Sequence, residues 1–270
     1  MTTMSYPQTL SYTLSDSATM LRRMLRHSMR YPSLLLATVV IPTSMLLFFV
    51  YAFGGALTPG LAGQFKIHDY LDYIAPGIFM LSMTAAAMAT SIGVATDMTK
   101  GIINRFRTMG ISRASVLTGH VLGSVIQAMI SVVILIGVAM AIGFRPHANA
   151  GAWIAAFGLM ALVSFALTWL AVGFGLMAKT VDTASNTPMI LQLLPFLSSA
   201  FVPPAAMASG LRWFAEHQPF TPINDTLRGL LLGSQIGDKW IISIAWCLGM
   251  ALVGYLWSRR LYRRDPVRTT

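Results

Sequence analysis

Charge is what this chain holds least of, and cysteine is all but absent. Charged side chains make up 10 % of its 270 residues, with nine Asp and Glu in all, and Cys247 is the single cysteine. One thiol excludes an intrachain disulfide framework, and its place within an apolar run makes it a small core side chain. No GxxxxGK[ST] phosphate loop occurs, and no polar region is long enough for a nucleotide domain, so ATP chemistry on this chain is excluded. The long apolar runs between residues 33 and 258 contain no Asp, Glu, Lys or Arg between their ends. Ion-coupled carriers place ionisable groups at that depth to carry the coupling, so this chain has no visible means of using an ion gradient. An intramembrane protease is equally unsupported: His120 is alone among the histidines of these runs, and no serine there has a base at defined spacing. His120, near one end of its run, reads as a hydrogen-bonding residue between helices.

What is present is apolar length. Hydrophobic residues make up 55 % of the chain and the mean hydropathy is +0.65, values outside those of a soluble domain of this size. Crossing a bilayer core takes roughly 20 helical residues. Five runs reach that length, at about 33 to 53, 74 to 95, 115 to 143, 152 to 178 and 240 to 258. A sixth, at about 187 to 207, is interrupted by Pro188, Pro195, Pro203 and Pro204. Each proline removes a backbone donor, so the carbonyls it frees must face protein or water, and this span is expected to be kinked and to line something. The expected fold is an all-α integral membrane protein of six transmembrane helices.

Fourteen of the nineteen Lys and Arg residues fall on one side of such a six-span layout, which by the positive-inside rule places both termini in the cytoplasm. The net charge of +10 then lies at the inner leaflet, where anionic lipid or an acidic partner offsets it; nucleic-acid binding is not needed to explain it. Residues 1–32 form a cytoplasmic tail in which Ser15 or Asp16 caps a helix running to Tyr31. Leu14, Ala18, Leu21, Leu25 and Met29 share one face and Arg22, Arg23, Arg26 and Arg30 the other, the pattern of a helix lying on a membrane. A calmodulin-type target shows the same pattern, but the adjoining span favours the membrane. The first span begins some thirty residues in and is too long for a signal-peptide core, so it should remain as an anchor. Residues 33–258 form the membrane domain and 259–270 a basic cytoplasmic tail.

Two polar stretches interrupt this pattern. His68 and Asp72 in the first external loop are spaced i, i+4, but without further ligands they read as solvated, and no metal site is expected. Residues 97–113 carry Lys100, Arg105, Arg107 and Arg113 against the single Asp97, yet keep Ile102, Ile103, Phe106 and Met109 at helical spacing. A loop that only had to stay wet would not need these apolar side chains, so a short helix docked on a membrane or a partner is expected. Small residues at Gly119 and Gly123, and at Gly229 and Gly233, have the small-xxx-small form that lets helices approach.

Asp97-x3-Gly101-Ile-Ile-x-Arg105-Phe106-Arg107-x3-Ile111-Ser112-Arg113 resembles the cytoplasmic loop of type-2 ABC exporter permeases, among them the daunorubicin and doxorubicin resistance permeases of actinobacteria. The stretch from Phe201-Val-Pro-Pro through Glu216-His217-Gln218-Pro219 to Leu227-Arg228 is similar to that family's segment before the last span. The resemblance covers nearly the whole chain. It implies that residues 97–113 are a coupling helix seated in a groove of a separate ATPase subunit, with Asp97, Gly101, Arg105, Phe106, Arg107 and Arg113 at the interface. Gly110 departs from the family, whose members often carry proline there. The resemblance also implies external helices over about 208–236 that dip into the outer leaflet, and a second permease copy or paralogue. ATP and Mg would be bound by the partner ATPase and no cofactor by this chain. The expected cargo is an amphipathic drug or lipid-like molecule moved outward across a bacterial cell membrane, with Gln127, Met83, Gln192 and Phe196 as candidate lining residues. A lipid-linked or polysaccharide envelope component is the competing cargo, and a non-transporting membrane anchor the competing class.

Overall fold

The computed structural model describes residues 32–53, 67–99, 113–178 and 180–263. The N-terminal amphipathic helix, the loop holding Gly101, Arg105, Phe106 and Arg107, and the basic tail beyond Arg263 lie outside the described residues. Those described are helical, with no strand among them. The order is α1 (Pro32–Phe48), which passes into a π-helical turn at Phe49–Phe53, then α2 (Ile67–Thr99), α3 (Arg113–Ala141) and α4 (Ala150–Met177). Short pieces follow: α5 (Val181–Asn186), α6 (Met189–Leu193), and 3-10 turns at Leu194–Leu197 and Pro204–Ala206. The chain ends with α7 (Ser209–His217), α8 (Phe220–Leu232) and α9 (Lys239–Arg263).

Four of these helices, over Tyr70–Thr99, Leu117–Ala141, Ala150–Met177 and Lys239–Tyr262, are long and apolar enough to cross a membrane. The protein is a multi-pass membrane protein built around α2. Leu71, Ile74, Ile78, Phe79, Met80 and Met83 of that helix are buried with Leu135 of α3, Met160 and Leu167 of α4, and Phe220 and Leu231 of α8. Helices approach closely at glycines other than those flagged in the sequence. A Cβ on Gly175 of α4 would stand 2.6 Å from the Ser91 carbonyl oxygen of α2, and one on Gly254 of α9 would stand 2.7 Å from the α4 backbone at Trp169 and Leu170. Of the flagged Gly229 and Gly233, the first faces Ser234 and Ile236 just beyond its own helix, and a Cβ on the second would meet nothing within 4 Å.

Sequence predicts one kinked span over 187–207; the structure divides it into α6 and two 3-10 turns joined by bends. Its ends are nevertheless fixed far apart along α2. Ser91 Oγ donates to the Ala184 carbonyl at 2.9 Å, and Tyr73 Oη donates to the Ser199 carbonyl at 2.9 Å. Tyr73 and Ser91 are separated by about 27 Å of helix at 1.5 Å per residue, close to the roughly 30 Å of a hydrocarbon core. The freed carbonyls are met by protein, as expected. Pro188 has no N–H for the Ala184 carbonyl, which takes Ser91 instead, and Pro42 has none for the Thr38 carbonyl, which takes Ser82 Oγ at 3.0 Å. The Gln218 amide donates to the Leu194 and Leu197 carbonyls, both at 3.3 Å. Tertiary hydrogen bonds thus replace the ladder that the prolines interrupt.

The segment expected as dipping external helices resolves into two of opposite character. On α8, Phe220, Ile223, Leu227 and Leu231 are buried in the main core, and Gly233 closes the helix at φ +74° with its N–H on the Gly229 carbonyl. On α7, Leu211, Trp213 and Phe214 are exposed, beside an Arg212–Glu216 ion pair at 2.8 Å.

Candidate functional site

Pro42 and the broken segment leave a groove of about 190 Å³ between α1, α2 and α6. Ile41, Pro42 and Met45 form one wall, Leu81 the floor, and Met189, Gln192, Leu193 and Phe196 the other wall. Gln192 and Phe196 are four apart in sequence, and the run from α6 into its 3-10 turn keeps them on one side. Phe196 stacks on Phe201 with centroids 5.0 Å apart and planes at 7°, and Phe201 in turn meets Phe49 at 4.9 Å. Gln192 is the only side chain of the lining with an amide, and among the described residues it makes no hydrogen bond. The groove therefore offers flat apolar contact with one donor–acceptor group, a surface suited to an amphipathic molecule.

The other two lining candidates lie elsewhere. Met83 is 1 % exposed and enclosed in the main core. Gln127 of α3 is half-buried. Its neighbours on the same helix face are paired, Ser124 with Thr90 and Ser131 with Thr38, whereas Gln127 itself has no hydrogen bond among the described residues. Neither residue lines the groove.

Sequence reasoning missed a polar cluster around Arg228. Arg228 of α8 donates from Nη2 to the Tyr73 carbonyl at 3.0 Å and the Ser199 carbonyl at 2.8 Å, and from Nη1 to Asp225 at 3.1 Å. Its guanidinium also lies 3.8 Å from the centre of the Tyr73 ring. Asp225 further accepts from Ser199 Oγ at 2.6 Å and from Lys239 Nζ at 2.7 Å. Arg228 therefore joins α2, the broken segment and α8 through one side chain. The Leu227-Arg228 pair stood in the sequence motif, but nothing local in sequence identified partners up to 155 positions away.

At the opposite end of the bundle, Asp97 lies two residues before the end of α2, and Arg113 begins α3. His120 was expected to hydrogen-bond between helices, and it does: its Nε2 is 3.1 Å from Asp97 Oδ2, with the two side chains 6 % and 16 % exposed. Gly101, Arg105, Phe106 and Arg107, in the stretch that links these helices, lie outside the described residues.

A family model described as "ABC-2 type transporter" matches residues 17–232. The chain belongs to the ABC-2 type transporter family. Among curated proteins, this ABC-2 chain is 26 % identical to a daunorubicin resistance ABC transporter permease protein of Streptomyces coeruleorubidus, over 93 % of its own length and 87 % of the relative's. It is 21 % identical to a probable doxorubicin resistance ABC transporter permease protein of Mycobacterium tuberculosis, over 65 % of each chain. It is also 21 % identical to ABC transporter G family member 20 of Dictyostelium discoideum, over 74 % of this chain but only 28 % of that protein. The ABC-2 chain is thus a transmembrane permease subunit of an ABC exporter. The Asp97–His120 contact lies between two of the membrane-capable helices, and the groove and the Arg228 cluster each have one side on α2.

Proposed function

We propose that the chain exports amphipathic, partly aromatic molecules from a bacterial cell as one half of a permease dimer, driven by two copies of a separate ATPase. The groove carries this reading: Phe196, Met45 and Met189 present adaptable apolar contact while the unpaired Gln192 amide recognises one polar group. The names of the two bacterial relatives, which refer to daunorubicin and doxorubicin resistance, support the same class of cargo. At about 190 Å³ the groove is smaller than the roughly 300 to 1,000 Å³ of sites that hold a whole drug-sized ligand. It accordingly holds a portion of the cargo and widens as the spans shift during the cycle.

In this reading there are six crossings, the broken segment being the fifth, and both termini are cytoplasmic. Its anchoring along about 27 Å of α2 supports the crossing, and the placement of Lys and Arg supports the orientation. The exposed apolar side chains of α7 lie in the outer leaflet. Phe106, flanked by Arg105 and Arg107, enters the ATPase groove. The partner binds Mg and ATP, and closure of its two copies pushes on the linked ends of α2 and α3.

The test is copurification of the tagged chain in mild detergent, followed by reconstitution with whatever ATP-hydrolysing subunit is recovered. ATP-dependent accumulation of daunorubicin in inside-out vesicles is expected. Recovery of the chain alone, without nucleotide-dependent transport, would leave the membrane-anchor reading standing instead.

A further inference from the structure

The linked ends of α2 and α3 are fastened by two polar rungs. Asp97 Oδ2 lies 3.1 Å from His120 Nε2, and Thr90 Oγ1 donates to Ser124 Oγ at 2.6 Å. Thr90 and Asp97 are seven apart on α2, and His120 and Ser124 four apart on α3, so each pair of positions shares one helix face. Around the rungs lies a small apolar cluster of Val94, Leu117, Val121, Trp169, Val172 and Tyr262, separate from the main core. This end of the bundle therefore has its own packing unit, and Asp97 and His120 are its outermost described polar contact.

The His120 side chain is 6 % exposed, and its Nδ1 has no partner among the described residues. A buried ring nitrogen without a partner is uncommon. Among the described residues the bond to Asp97 is the one polar side-chain contact of this imidazole, and it fixes how the ring stands between the two helices. A hydrogen bond to a carboxylate at low local dielectric is stronger than one in water, so it resists sliding of one helix along the other.

We infer that Asp97 and His120 form a clamp that makes the inner ends of α2 and α3 move as one body when the intervening loop is pushed. Asp97 is then a positioning residue for coupling and not an ATPase contact. This assignment rests on the proposed ATPase-driven reading and adds to it the route by which force enters the spans. Without the clamp, displacement of the loop is absorbed where it joins the two helices, and ATP is hydrolysed without productive rearrangement.

The test uses the full chain with its ATPase in proteoliposomes, scored as daunorubicin transported per ATP hydrolysed. D97A and H120A are each expected to retain the ATPase on copurification while that ratio falls about tenfold, on the scale of one charge-assisted hydrogen bond. The double variant is expected to fall no further than either single one, because both remove the same contact. Exchange of the two residues, D97H with H120D, is expected to restore most of the ratio, which a merely space-filling role would not produce. D97N keeps size and one acceptor, and it provides the measurement should D97A fail to insert.

Loss of the ATPase from D97A but not from H120A would overturn the clamp and make Asp97 a docking contact. An unchanged ratio, or additive losses in the double variant, would overturn it as well. If the unaltered chain recovers no ATPase, the exporter mechanism itself falls and the coupling role with it; if the unaltered chain transports and only these variants disagree, the clamp alone is wrong.

Discussion

The two ends of the bundle are held by unlike means. At the end near Phe196, Arg228 gathers two backbone carbonyls, one carboxylate and one aromatic ring, and Asp225 extends the cluster to Ser199 and Lys239. At the other end, side chains of α2 and α3 meet directly, Asp97 with His120 and Thr90 with Ser124. A charge with several partners is costly to dislodge, because each leaves an orphan behind. Direct bonds between two helices hold those two in register, so the pair can be displaced together. The first end ties three elements together through one side chain, and the second ties the two helices of the proposed clamp to each other.

The sharpest way to break this contrast is Arg228→Ala. It strips the Tyr73 and Ser199 carbonyls of their guanidinium donor and leaves Asp225 with fewer partners, so a loss of about 3 to 5 kcal/mol of stability is expected. The check is thermal melting in detergent, where a shift no larger than that of an exposed control such as Arg212→Ala would show the cluster to be incidental. ATPase association is expected to persist in whatever fraction remains folded.

Phe106→Ala combined with Arg107→Ala probes the other end and should give the reverse result. An aromatic anchor with a neighbouring arginine typically contributes about 2 kcal/mol or more to a contact, or roughly thirtyfold in affinity. Weakened ATPase capture with an unaltered melting profile is expected. Full retention of both the ATPase and transport would remove the coupling role from these residues.

What was legible in sequence divides along the same line. Apolar length is a local property, so α2, α3, α4 and α9 could be read directly from their runs. Gln192 and Phe196 could be paired because four residues bring side chains to one helix face. Met83 could not be placed, since a methionine in a small-residue-rich span is equally suited to core or cavity until the rotation of α2 is known. The four prolines showed that the ladder of residues 187–207 is interrupted, but not that Ser91, Gln218 and Arg228 would supply the missing donors. His120 declared its hydrogen-bonding role and concealed its partner, Asp97, which the motif had assigned to the ATPase. The structure missed most easily from sequence is thus the long-range polar contact, whose two halves carry no shared signal.

Ser82 and Ser91 sharpen the comparison at smaller cost. Each donates to a carbonyl freed by a proline, Ser82 beside the groove and Ser91 nearer Asp97. Removing either hydroxyl leaves a buried carbonyl one partner short, an expected loss of about 1 to 2 kcal/mol. If the two ends differ as argued, Ser91→Ala should also alter transport per ATP hydrolysed, because α5 lies on the moving side, whereas Ser82→Ala should change melting alone. Equal effects on both readouts would argue that α1 and the broken segment respond together.

The smallest effect is expected from Gln192→Leu, and it bears on cargo more than on stability. The amide makes no hydrogen bond among the described residues, so its replacement leaves no orphan in the protein, and melting should change by less than about 0.5 kcal/mol. A cargo that relied on it loses one hydrogen bond, about 1 kcal/mol or fivefold in apparent affinity. A cargo without a polar group at that position should bind as well or better, since Leu adds apolar contact. Gln127→Leu, which lies off the groove, should leave both kinds of cargo unaffected. If instead Gln127→Leu discriminates among cargoes and Gln192→Leu does not, the pathway runs along α3 and the groove beside Pro42 is a packing defect of the broken segment.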